Sequence, residues 1–237
     1  SERVIGPGHF GLLDLGEGVQ KFSLHYEADL DRGGASVLDI RPLQWKDGWP
    51  AAGDNMKEGT YRIESVRTGT VIEMAVEGVP IGGRPAGRGG GRGAFAGQGG
   101  VIPSQDAAQV APKWPASAVD LRMANYMLQA QQKWTIVPAA NAGGYPGSPY
   151  FKITVAGTDR ALAATADGEL AVLPNFTGAP EQLWRMDQLA DGSWRIMPKA
   201  VPGRNEPLVL SAVGRSFATL AKFDPASEKQ RWLVQAP

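Results

Sequence analysis

Residues 182–184 read Gln-Leu-Trp, and the same frame returns as Gln132-Lys133-Trp134 and Gln230-Arg231-Trp232. The three tryptophans are about 50 residues apart, a period that marks a repeated supersecondary unit. Upstream of each triplet stands a strand-like run built on an aromatic, a basic residue and isoleucine: "TYRIESV" at 60–66, "YFKITVAG" at 150–157 and "SWRIMPKA" at 193–200. The interval from run to triplet is similar in the second and third units and longer by about 35 to 40 residues in the first. That surplus places an insertion at about 78–115, inside the first unit.

The insertion holds "GRPAGRGGGRGAFAGQGG" at 83–100, where Arg84, Arg88 and Arg92 alternate with glycine near Phe95. Such a segment suits the backbone of single-stranded RNA, and it equally suits a tethered, soluble surface loop. Lys+Arg and Asp+Glu both total 24, so the long-range attraction of a nucleic-acid binder is missing. The loop reading is therefore preferred, and nucleic acid is not expected as a partner. Loop closure entropy grows slowly with length, so the insertion costs the repeat little.

The chain has no cysteine, which removes a disulfide framework and thiolate metal sites. No apolar run is long enough for a membrane span, and residues 1–20 lack the order of a signal peptide. Seven tryptophans, 31 glycines and 18 prolines, with little helical period, point to an all-β chain rich in turns. "DLRMANYMLQAQQ", residues 120–132, is the one stretch with helical character.

Three repeats of this length, each with short strands and one Gln-x-Trp, resemble the ricin-type β-trefoil over residues 57–237. The repeats fall at about 57–139, 147–189 and 192–237. The resemblance implies structural roles for Gln132, Trp134, Gln182, Trp184, Gln230 and Trp232, with tryptophans in a shared core and glutamines tying turns. Sugar sites in that family use an Asp after the first hairpin, an aromatic platform, and an Asn or Gln before the last strand. Here the Asp position reads Glu73 in "TGTVIEMA", Ala163 in "TDRALAAT" and Val209 in "NEPLVLSA". Alanine and valine accept no hydrogen bonds, so repeats two and three look blind. Glu73, with Trp114, Tyr126 and Phe95 as stacking groups, is the candidate sugar site; a solvated glutamate among packing aromatics is the other reading.

Residues 1–56 read as three strands, 10–14, 19–27 and 36–43, joined by the glycine-acid turns "LGEG" and "LDRGG". Phe22, Leu24 and Tyr26 alternate with Lys21, Ser23, His25 and Glu27, one face apolar and the other titratable. A lone three-stranded meander buries too little to stand alone, so it is expected to complete a larger β-structure. Gly6-Pro7-Gly8-His9, His25-Tyr26 and Trp45-Lys46-Asp47-Gly48-Trp49-Pro50 are similar to the last blade of the five-bladed propeller of glycoside hydrolase family 43. The family often has Asn after the histidine, where this chain has Phe10.

The resemblance implies structural roles for Trp45 and Trp49, and a place for His9 near the propeller axis. There His9 faces a central calcium ion or its water shell; a histidine bonded within the blade is the alternative. Asp14, Glu27, Asp29 and Asp31 read as turn and rim residues, not a catalytic pair. The family's catalytic carboxylates lie on earlier blades, so no catalytic residue is expected in this chain.

The expectation is the C-terminal part of an exported inverting glycoside hydrolase acting on plant-wall pentosans, arabinan foremost, then xylan or galactan. An N-terminal catalytic polypeptide is its expected partner, in a secreted or bacterial periplasmic setting. The alternative is a free-standing, lectin-like trefoil without catalysis.

Overall fold

A computed structural model of the chain describes residues 4–28, 33–76, 104–145 and 148–237. The N-terminal region is an antiparallel meander of β1 (Val4–Asp14), β2 (Gln20–Ala28), β3 (Ala35–Lys46) and β4 (Trp49–Ala52), paired in that order. This makes four strands where three were expected. Asp47 and Gly48 both adopt positive φ, at 52° and 80°, and fold the chain back through a two-residue turn that creates β4.

The three repeats each supply four strands. The first has β5 (Gly59–Ser65), β6 (Val71–Met74), β7 (Val119–Ala124) and β8 (Trp134–Pro138). A small hairpin, β9 (Gly144–Tyr145) and β10 (Ser148–Pro149), leads to the second: β11 (Phe151–Val155), β12 (Ala161–Ala164), β13 (Leu170–Leu173) and β14 (Leu183–Gln188). The third has β15 (Trp194–Pro198), β16 (Leu208–Val213), β17 (Phe217–Lys222) and β18 (Trp232–Gln235).

The outer strands of each set pair around a closed circuit, β5–β8–β11–β14–β15–β18 and back to β5, all antiparallel. Closure removes the exposed edges. The inner strands form hairpins β6–β7, β12–β13 and β16–β17. These hairpins are linked in a ring by Ala171 pairing with Asp120, Met123 N donating to Ser216 O, and Leu220 N donating to Gly168 O. The chain is all-β, and residues 59–235 form a β-trefoil.

Ile63, Ile153 and Ile196, the residues that follow the basic position of each run, are fully buried, as are Trp134, Trp184 and Trp232. The 120–132 stretch is not helical: it forms β7 and a 3-10 turn at Ala130–Gln132. Val119, Leu121 and Met123 alternate buried with exposed neighbours, so the period-2 pattern prevails over local helix propensity. The α-helix of the described residues, α1 (Ala107–Val110), lies within the expected insertion. Ala107, Val110 and Trp114 join the core there, so the C-terminal part of the insertion is packed structure, not free loop. Arg84, Arg88, Arg92 and Phe95 lie outside the described residues.

Candidate functional site

The indole N–H of each repeated tryptophan fixes the register of its repeat. Trp134 Nε1 donates to Ile72 O at 3.0 Å, Trp184 Nε1 to Leu162 O at 2.9 Å and Trp232 Nε1 to Leu210 O at 3.0 Å. The next residues, Glu73, Ala163 and Ser211, are therefore equivalent. The position expected at Val209 is two residues early. A slip of two preserves the strand face, so the alternation could not reveal it.

The glutamines act as turn hooks with equivalent geometry. Gln132 accepts from Met127 N at 2.8 Å and donates to Asn125 O at 2.8 Å. Gln182 accepts from Thr177 N at 2.7 Å and donates to Asn175 O at 2.9 Å, and Gln230 accepts from Asp224 N at 2.8 Å and donates to Lys222 O at 2.9 Å. Each hook satisfies backbone groups of an irregular loop that the strand ladders leave unpaired.

Glu73 is 2% exposed and both of its oxygens are engaged. One accepts from Arg122 Nε at 2.6 Å on the paired strand, the other from Gln132 Nε2 at 2.8 Å. The carboxylate is a strut of the first repeat and not an open acceptor for sugar hydroxyls, which corrects the expectation. Trp114 lies in the core and offers no free stacking face. Tyr126 is half-buried, and its ring lies 5.0 Å from the Arg62 guanidinium. Burial raises its phenol above the usual range. Glu73 and Trp114 thus present little open surface to a ligand.

Tyr126 nonetheless belongs to a threefold pattern. Lys152 Nζ lies 5.6 Å from the Phe176 ring, and the Arg195 guanidinium lies 4.6 Å from Phe223. In every repeat the cation is the basic residue before the buried isoleucine, and the aromatic precedes the hooking glutamine. Sequence reading found the basic residues but not their partners. The signal was there in the aromatic standing shortly before each Gln-x-Trp.

The third of these pairs receives the N-terminal sheet. Arg195, 3% exposed, donates to Asp187 Oδ2 at 2.9 Å and to Glu17 Oε2 at 2.6 Å. Glu17 (φ 54°) sits between Gly16 (φ 78°) and Gly18 (φ 79°), and two glycines let the turn project its carboxylate. Lys21 Nζ donates to Ser148 Oγ at 2.6 Å, and Trp45 N donates to Ala190 O at 3.0 Å. Burial pushes the Lys21 ammonium below the usual lysine range. Val19, Phe22 and Leu43 are buried at this end of the sheet.

The rest of the sheet is open. Phe10, Leu12, Leu13 and Leu38 are exposed, with Trp45 at 46% and Trp49 at 76%. Leu12 lies across from Phe22 and Leu13 across from Lys21, so both faces carry exposed apolar groups. Asp14 Oδ1 accepts from Gly16 N at 2.8 Å, a turn role, and Glu27 is exposed; Asp29 and Asp31 lie outside the described residues. The His9 and His25 rings lie 5.8 Å apart. Among the described residues, no three His, Asp or Glu side chains gather to hold a metal.

The comparisons with known proteins agree with the trefoil. A family profile described as ricin-type beta-trefoil lectin domain-like matches residues 129–216, from the first glutamine hook into the third repeat. No curated protein matches the chain. Among solved structures, a mosquitocidal holotoxin is similar at 11% identity and a TM-score of 0.50, over 77% of this chain and 18% of that one. The β-trefoil lectin of the Vibrio vulnificus hemolysin/cytolysin, with N-acetyl-D-lactosamine bound, matches at 15% identity and a TM-score of 0.46, over 76% of this chain and 96% of that one. 1,3Gal43A, an exo-beta-1,3-galactanase from Clostridium thermocellum, matches at 14% identity and a TM-score of 0.47, over 98% of this chain and 46% of that one. The chain thus spans under a fifth of the holotoxin's length and under half of the galactanase's. No helix among the described residues is long and apolar enough to cross a membrane.

Proposed function

We propose that the chain is a carbohydrate-binding trefoil attached to an exported glycoside hydrolase of plant-wall pentosans, arabinan foremost. The trefoil holds polysaccharide. The N-terminal sheet completes a larger β-structure whose other parts carry the catalytic carboxylates. The observation that carries this reading is the contrast within that sheet: one end is fixed to the trefoil through Glu17, Lys21 and Trp45, while exposed apolar residues cover the remainder. Such a patch marks a surface made to be covered. The ricin-type lectin-like match over 129–216 supports the carbohydrate part.

Affinity electrophoresis through gels containing arabinan, xylan or galactan tests the binding. Retardation in arabinan above that in the other two is expected. Equal mobility in all the gels and in a polysaccharide-free gel overturns the carbohydrate reading. Native mass spectrometry of the purified particle tests the attachment: a companion polypeptide with hydrolase activity is expected. A folded, inactive monomer that still binds polysaccharide leaves the free-standing lectin-like module as the better account.

A further inference from the structure

Two grooves occupy equivalent places on the outer wall of the trefoil. In the third repeat the groove is bordered by the turn at Leu189–Asp191 and by Phe223 and Arg231, and the Glu17–Gly18 turn reaches into it. In the second repeat the equivalent turn is Ala139–Asn141 and the equivalent aromatic is Phe176. The turns match in hydrogen bonding: Gly192 N donates to Leu189 O, and Ala142 N to Ala139 O. The second-repeat groove is open, with a volume of about 530 Å³. That is within the size range of small-molecule sites.

The two grooves differ in their acidic groups: Asp191 borders the third-repeat groove where Asn141 borders the second. Arg195 is paired across strands with Asp187, whereas Lys152 is paired across strands with Val137. The cation of the second repeat therefore lacks the cross-strand carboxylate that Arg195 has. Lys199 also lines this groove, its Nζ donating to Ala142 O at 2.7 Å; the groove's lining holds no acidic side chain.

We propose that the second-repeat groove binds the carboxylate of an acidic saccharide, a uronic-acid-bearing glycan, as the third-repeat groove binds Glu17. This rests on the carbohydrate-binding reading above. Glu17 shows what the position recognises: its carboxylate meets a cation lying over an aromatic ring, at 2.6 Å. In the open groove, Lys152 and Lys199 supply the charge, and Asn141 supplies an amide that both donates to and accepts from hydroxyls. A saccharide is favoured over an acidic peptide because every residue of the groove, 137–199, falls within the lectin-like match.

The test is calorimetric titration of the whole chain at low salt with galacturonate and glucuronate trisaccharides, a neutral galactose trisaccharide and a pentaglutamate peptide. At least one uronate is expected to bind, with affinity falling about tenfold or more in Lys152→Met, as for loss of a charge-assisted hydrogen bond. Raising the salt should weaken it as well. Lys152→Met keeps an aliphatic stem over Phe176, and an unchanged melting temperature shows that the variant is folded. Neutral sugar bound as tightly as uronate, or uronate binding unaffected by Lys152→Met, overturns the inference while leaving carbohydrate binding standing. Silence to all sugars together with equal gel mobility overturns both. Pentaglutamate bound as tightly as uronate, with the same loss in Lys152→Met, overturns the saccharide assignment.

Discussion

Tryptophan plays opposite parts in the two regions of this molecule. In the trefoil, Trp134, Trp184 and Trp232 are fully buried and each indole N–H is spent on a hairpin carbonyl. In the N-terminal sheet, Trp45 and Trp49 flank a tight turn and stay largely open, and Trp45 Nε1 reaches only Gln20 Oε1, at 3.0 Å. A closed barrel with three equivalent hairpins makes its own interior. A four-stranded meander has none and must borrow one. It borrows part from the second and third repeats and leaves the rest exposed.

Exchanging one tryptophan in each region tests this contrast most sharply. Trp184→Ala is expected to cost about 3–5 kcal/mol, because it opens a cavity and strands the Leu162 carbonyl. Trp49→Ala in the isolated chain should shift stability by less than about 0.5 kcal/mol. Denaturant unfolding of both variants reads the difference, and comparable losses would break the comparison.

Glu73→Ala comes next. It frees Arg122 and Gln132 together, but Arg122 is partly exposed and can rehydrate, so a loss of about 1–2 kcal/mol is expected. Polysaccharide retardation should persist in the folded variant; its selective disappearance would return Glu73 to the binding site. Glu17→Gln removes the carboxylate from Arg195, while Asp187 stays in place. Because Glu17 is largely exposed, the loss should stay at or below about 1 kcal/mol, with faster amide exchange confined to residues 15–22.

The smallest expected effect is a pH dependence. Lys21 titrates lower in the folded chain than the ordinary lysine value of 10.5, so the unfolded chain binds the extra proton between the two values. Stability should rise with pH through that window, the cost of burying the ammonium being fully present below it. Lys21→Met should show a smaller rise, by the Lys21 contribution. Lys133 shifts in the same direction, also through burial, and it cancels in the difference between the two proteins.

The trefoil was legible because its three copies report on one another. One Gln-x-Trp is a weak signal, but three at a fixed period also locate the strands and the insertion. Where the copies diverge, legibility failed. The longer connection after β15 put the third repeat out of step with the other two, and Ser211 was read two residues early, at Val209. The helix at Ala107–Val110 was missed because four residues carry no period, and Trp114 looked available because its core partners lie far away in sequence.

What the sequence determined by itself is the all-β class, the threefold unit and the identity of its buried tryptophans. These follow from local alternation and repetition, which a linear reading captures. The tertiary structure alone decided how charge is used. Glu73 is spent on Arg122 and Glu17 on Arg195, while Lys152 is left facing an open groove. Pairing of charges depends on which strands become neighbours when the barrel closes, and spacing along the chain does not encode that distance.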